Sequence, residues 1–183
     1  LEVARVVAAL AEPTTDLVDA ALGARSDAGL TETLDAQILE LDGTRLRFTH
    51  PLLGSAVTAR QSPSRRRALN ARLADVVSSS EERARHLALA TADIDNDVAA
   101  ILEEAARTAQ ARGAPVEAAA LAEQALRLTP PSSPDGNRRL LEAADLQFRA
   151  GDPGRARDLL QQASAAAPPG NERATVLAHL AYI

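Results

Sequence analysis

At 183 residues the chain is long enough for one large domain or two small ones, and either can bury a core. A net charge of −5 opposes a general nucleic-acid-binding role, and the absence of cysteine excludes disulfides, thiolate chemistry and cysteine-ligated metals. Aromatic residues are only 2% and alanine dominates, which favours helix over sheet and predicts a thin core in which each leucine matters.

Every basic residue is arginine. No apolar run is long enough to span a bilayer and no signal peptide is visible, so a cytoplasmic protein without membrane association is expected. The chain opens at Leu1 without methionine and stops at Tyr182-Ile183 inside a helical pattern. It therefore reads as a piece of a longer protein.

Leu1 to Leu10 is apolar with helical spacing, and Pro13 breaks it. Thr15 or Asp16 is the expected cap of a second helix ending before Gly23. Ser26 or Asp27 begins a third, to about Gln37, with Leu30 and Leu34 on one face. A β-hairpin is expected next, in ILELDGTRLRF, with Asp42-Gly43 as the two turn residues. That turn pairs Leu39 with Leu46, Glu40 with Arg45 and Leu41 with Thr44, and puts Leu39, Leu41, Leu46 and Phe48 on one apolar face. Three helices and a hairpin are the order of a winged helix-turn-helix. The third helix carries Asp27, Glu32 and Asp35 and no basic residue, so phosphate would repel it and DNA reading by this wing is not expected.

Pro51 suits the first turn of a helix with Leu52, Leu53, Ala56 and Val57 as its apolar stripe. Ser62-Pro63 starts the next, with Leu69, Leu73, Val76 and Val77 facing inward. Ser79 and Glu82 have capping-box spacing, predicting a helix from about Glu81 to Ala92, and Asp93 to Asp97 is a polar break. Beyond it the chain repeats at a spacing of 38: Leu102 and Leu140, Ala105 and Ala143, Ala106 and Ala144, Gly113 and Gly151, Ala118 and Ala156, Ala125 and Ala163, Pro130 and Pro168. A helix, a glycine turn, a helix and a proline is the plan of the tetratricopeptide (TPR) repeat, whose unit is about 34 residues. Pro131 to Gly136 supplies the extra length as a polar insertion, alanine or leucine replaces the large aromatic positions, and Asn171 is placed to cap the first helix of a third unit.

The run RLRFTHPLLGSAVTARQSPSRRRALNARLADVV, followed by EERARHLALA, resembles the middle of large ATP-binding LuxR-family transcriptional regulators, signal-transducing ATPases similar to the maltose-operon activator. That family's order is a P-loop ATPase, a winged-helix segment, a helical-repeat sensor arm and a C-terminal DNA-binding helix-turn-helix. The sequence holds no GxxxxGK[ST] and no basic C-terminal reading helix. The resemblance therefore implies that ATP or ADP is bound by an upstream ATPase domain and DNA by a C-terminal domain, both outside this sequence. It implies a conformational role: the wing clamps the ATPase in its ADP state, and the arm receives an inducer or protein partner.

His50 is the candidate cofactor contact. In related switch ATPases a histidine at the start of a winged-helix helix, in a Met-His-Asp motif, touches the β-phosphate of ADP. Thr49-His50-Pro51-Leu52-Leu53 resembles that motif, with threonine and proline as flanks. A helix cap or an interdomain packing residue is the alternative. Arg65, Arg66, Arg67 and Arg72 form the one basic cluster; residues about 100° apart make no single stripe, so a solvated face or contact with a neighbouring domain is favoured over nucleic acid. Arg83, Arg85 and His86 match the family's arginine-histidine-leucine helix, with His86 beside Leu87 read as an interhelix hydrogen-bonding residue, and His179 has no nameable partner.

No HExxH or histidine cluster suggests a metal, and Asp93, Asp95 and Asp97 lack the glycine and closing glutamate of a calcium loop. Glu103 and Glu104 read as solvent charge on a helix whose other face is Val98, Ile101, Leu102, Ala105 and Ala109; Glu103–Arg107 and Asp145–Arg149 are expected i,i+4 pairs. No catalytic residue is expected. The predicted fold is mainly α: a winged-helix-like segment over residues 1–61, connecting helices over 62–92, and TPR-like hairpins over 93–183 as the start of an α-solenoid. The rival reading is a stand-alone TPR-like interaction scaffold. A third is the same segment joined to an enzymatic output such as a nucleotide cyclase.

Overall fold

The computed structural model describes residues 1–131, 133–167 and 170–182. The expected repeat proline Pro168 and the final Ile183 lie outside the described residues. The fold is mainly α with one two-stranded antiparallel hairpin. Backbone packing divides the chain into two compact units, residues 1–90 and the part from Thr91 onward.

In the first unit α1 (Glu2–Ala9) and α2 (Thr15–Leu22) lead through a 3₁₀ turn (Gly23–Arg25) into α3 (Ser26–Asp35). Thr14, one residue before the expected caps, caps α2: its hydroxyl accepts from the Leu17 N–H at 3.3 Å. α3 stops at Asp35 because Gln37 takes the left-handed φ of +55° and Ile38 N–H donates back to the Thr33 carbonyl (3.0 Å), closing the helix end.

The hairpin is β1 (Leu39–Asp42) and β2 (Arg45–Phe48), and its turn is Gly43-Thr44 rather than Asp42-Gly43. The register is Leu39 opposite Phe48, Glu40 opposite Arg47 and Leu41 opposite Leu46. A type I′ turn on Asp42-Gly43 needs positive φ at both centres. The observed turn needs it only at Gly43 (φ +63°), with glycine first as in a type II′ turn. The pairing slips by two residues, so the faces survive. Leu39 and Leu46 are buried, but Leu41, at the tip, is 46% exposed. The expected Glu40–Arg45 pair is replaced by Glu40–Arg47 at 3.4 Å, and Arg45 meets Glu12 at 3.2 Å. The segment around Thr14 adds a single bridge to β2: Leu46 N–H donates to Pro13 O and Thr15 N–H to Thr44 O, both at 2.9 Å.

α4 (Pro51–Ala59), α5 (Pro63–Val76) and α6 (Ser80–Ala90) complete this unit. Its core joins Val3, Val6 and Leu10 of α1, Val18 and Leu22 of α2, Leu39 and Leu46 of the hairpin, and Leu73 and Val77 from α5 and its C-cap. The predicted α4 stripe is only half met: Leu53 and Val57 are half-buried, while Leu52 is 69% exposed and Ala56 is exposed. Ser79 Oγ accepts from the Glu82 N–H (3.3 Å), but the Glu82 carboxylate does not close the capping box. It accepts from Ala11 N–H at 3.0 Å instead, tying α6 to the end of α1.

The second unit runs α7 (Asn96–Ala111), α8 (Pro115–Arg127), α9 (Pro134–Arg149), α10 (Pro153–Ala166) and α11 (Asn171–Tyr182), each packing on the next. The 38-residue spacing is visible in the backbone. Gly113 and Gly151 both take positive φ (+81° and +87°), and Ala114 N–H to Ala109 O recurs as Asp152 N–H to Gln147 O, both at 2.9 Å. The facing surfaces are alanine-rich: Ala105, Ala106, Ala118, Ala125, Ala143, Ala144 and Ala156 are buried. The expected insertion is shorter than read. Ser133 caps α9 by accepting from Gly136 N–H (3.0 Å), so Pro134, Asp135 and Gly136 are helical.

Candidate functional site

His50 sits where the hairpin hands over to α4. Thr49 fixes that junction: its hydroxyl donates to Gln37 O (2.7 Å) and its N–H to Ile38 O (3.1 Å). His50 is the N-cap, its Nδ1 accepting from Leu52 N–H at 3.2 Å, with Pro51 at the first helical position. With Nδ1 accepting, the neutral ring carries its proton on Nε2. Gly54, one turn on, allows α4 to lie against Phe48; a Cβ there would stand 3.3 Å from the ring. His50 and Leu52 are both exposed and, among the described residues, none in α4 is fully buried. The first turn of α4 therefore presents an imidazole, an apolar side chain and a helix N-terminus together.

The basic cluster divides. Arg65 and Arg72 line a pocket of about 280 Å³ with Arg5 of α1, Glu2, Gln61 and Leu69. All four arginines of the cluster are exposed, but Arg66 and Arg67 do not line it. Arg72 Nη1 also donates to Ala21 O at 3.4 Å. Arg5 was not singled out from the sequence, although it is the one charge between Val3 and Leu10. A larger, more apolar groove of about 570 Å³ runs between α1, α3 and α4, past Ala4, Ile38, Leu53 and Val57. Asp27, Glu32 and Asp35 of α3 are exposed.

His86 joins α5 to α6, as its position suggested. It is 2% exposed, and its Nδ1–H donates to Asn70 Oδ1 at 2.8 Å while Asn70 Nδ2 donates to Arg66 O. Burial pushes its pKa below the ordinary 6.5, against the pull of the Glu82 carboxylate 3.8 Å from Nε2 and with the push of Arg85. His179 is exposed and donates to Thr175 O (2.8 Å) in its own helix.

In the second unit Glu103 is not a solvent charge. Arg138 holds both its oxygens, Arg139 Nε donates to Oε2 at 3.0 Å, and the carboxylate is 14% exposed. Arg139 is 4% exposed and also donates through Nη1 to Asn96 Oδ1 and to Thr129 Oγ1 (2.7 Å). The Arg138 hydrogen bond is the main cause that holds the Glu103 pKa down to about 2, and Arg138 is raised in return. The expected Glu103–Arg107 pair is absent, since Arg107 takes Glu104 at 2.7 Å; Asp145–Arg149 forms at 2.8 Å. Asp95 is the N-cap of α7, accepting from Asp97 and Val98 N–H. Among the described residues, no group of three or more metal-ligating side chains is gathered, and no helix is long and apolar enough to cross a membrane.

Comparison with protein-family models, with characterised proteins and with solved structures finds no match for this chain.

Proposed function

We propose that this chain is the regulatory middle segment of an ATP-dependent LuxR-family transcriptional regulator, coupling nucleotide state in an upstream ATPase domain to signal or partner binding on the helical-repeat arm. The observation that carries the reading is the first turn of α4. An exposed histidine caps an uncharged helix whose apolar side chains are left half-covered, beside a hairpin that anchors it to α3. A helix N-terminus and an imidazole N–H favour a phosphate, and the open apolar face suits a neighbouring domain. In this reading His50 helps to hold ADP, the ATPase domain covers α4, and the second unit offers its helical surface to an inducer or protein. A ligand shifts the switch only through its differential affinity for the two states.

The test uses the full-length protein loaded with ADP and compares release from wild type, His50→Ala and His50→Asn. Asparagine keeps a capping acceptor but lacks the imidazole. Both variants should release ADP faster. Unchanged retention in both rejects the phosphate contact, and faster release in His50→Ala alone reduces His50 to a cap.

The rival, a protein-interaction scaffold without a nucleotide switch, is favoured by exposed Ile94, Ile101 and Val116 in the second unit. A coding sequence without an upstream P-loop would decide for it.

A further inference from the structure

We infer that the pocket between α1, the end of α2 and α5 is a binding site for a small phosphate-type oxyanion. Three observations converge on it. First, its lining carries three guanidinium groups, Arg5, Arg65 and Arg72, against the single carboxylate of Glu2. Glu2 is itself engaged by Arg25 at 3.4 Å, whereas none of the three arginines forms an ion pair among the described residues. The lining thus holds a surplus of two positive charges, and Arg65 and Arg72 belong to a segment, residues 43–74, with seven arginines and no carboxylate.

Second, Arg72 Nη1 donates to the Ala21 carbonyl at 3.4 Å, which holds one guanidinium at the pocket. A donor already held in place loses less freedom when a ligand binds. Third, Arg65 stands in the first turn of α5, which contains no acidic residue. Cations there oppose the helix macrodipole, and an anion relieves both the dipole and the mutual repulsion of the guanidiniums.

Chemistry selects the ligand. The volume of about 280 Å³ is room enough for phosphate or pyrophosphate. Arginine forks match the oxygens of both. The inference does not rest on the proposed nucleotide switch, because His50 does not line this pocket.

The experiment is calorimetric titration of the 183-residue chain with inorganic phosphate, pyrophosphate and ADP at fixed ionic strength. Pyrophosphate should bind saturably at one site. The Arg65→Gln/Arg72→Gln double variant should weaken it about tenfold or more, as loss of charge-assisted contacts requires. The Arg66→Gln/Arg67→Gln double variant removes the same charge outside the pocket and should change affinity less than about twofold. Circular dichroism confirms that each variant is folded. Absence of saturable binding up to about 5 mM pyrophosphate, or equal loss in both double variants, overturns the site. ADP binding more than about tenfold tighter than pyrophosphate overturns the small-oxyanion assignment. Unchanged pyrophosphate affinity in His50→Ala keeps this result separate from the ADP test.

Discussion

Glu103→Gln should destabilise the α7–α9 packing by about 2–3 kcal/mol, a large effect for a charge read from the sequence as solvated. The carboxylate serves two guanidiniums of different worth. Arg138 is half exposed, and its share is that of a surface pair, about 0.5–1 kcal/mol. Arg139 is buried, and removing the partner of a buried ion costs about 3–5 kcal/mol when nothing replaces it. Asn96 and Thr129 still accept from Arg139 Nη1, which lowers that figure. Glutamine keeps the shape and one acceptor but not the charge. Glu104→Gln breaks only the exposed pair with Arg107 and should cost less than about 0.5 kcal/mol. Native-state hydrogen exchange in α7 and α9 reads the effect locally and needs no assumption that both units unfold together. Acid supplies an internal control. The Glu103 pKa falls from about 4.5 to about 2 on folding, so its stabilisation is present at neutral pH and is lost as pH drops through that window. Glu142 is raised by burial and by the neighbouring Glu103 charge, so Glu103→Gln also relaxes its titration, and the comparison is made in a Glu142→Gln background to isolate the Glu103 difference. A loss below about 1 kcal/mol at pH 7, an equal loss in Glu104→Gln, or a difference that persists unchanged at pH 2 would refute the reasoning.

Gly136→Ala should destabilise the second unit by about 1–3 kcal/mol despite alanine's higher helix propensity, because its Cβ would stand 2.5 Å from the Pro130 carbonyl oxygen and 3.0 Å from that of Pro131; urea denaturation followed by circular dichroism measures it, and a gain in stability would contradict the packing. Because burial lowers the His86 pKa, the first unit's contribution from this residue is complete above about pH 6.5 and falls as pH drops below it. Unfolding of residues 1–90, followed by hydrogen exchange in α5 and α6, should need less urea at pH 5.5 than at 7.5, and His86→Gln should flatten that dependence.

What was legible in the sequence was whatever local chemistry decides. Pro51 and Pro63 mark helix starts, Gly113 and Gly151 mark left-handed turns, and the 38-residue spacing marks which alanines are buried. The hairpin was readable in its faces but not its register, since moving the turn by one residue changes the partners without changing the parity. Partners distant in sequence were not readable. Glu82 completes a capping box by spacing, yet its carboxylate reaches Ala11, 71 residues away. Glu103 has Arg107 at ideal helical spacing, but a buried guanidinium on another helix offers a drier and stronger contact. Arg5 gave one signal, a lone charge in an apolar helix, and its pocket exists only once α2 and α5 are folded beside it.

The two kinds of legibility reflect a division of labour within the helical repeats. Alanine faces let helices approach closely, but they are nearly uniform, and a uniform surface of small side chains specifies register weakly. The recurring residues therefore set backbone geometry and leave the pairing of particular helices underdetermined. The charged networks lie at positions that do not recur. At a spacing of 38, Glu103 corresponds to Leu141, Glu123 to Gln161, and Arg139 to Ile101. Glu103 thus draws α9 onto α7. Glu123 of α8 accepts from Arg155 of α10 at 2.7 Å and from Gln147 of α9 at 2.9 Å. A slipped or exchanged helix would bury Arg139 without a carboxylate, at a cost of several kcal/mol. These networks select the observed stacking by penalising its alternatives, which the repeated alanines cannot do.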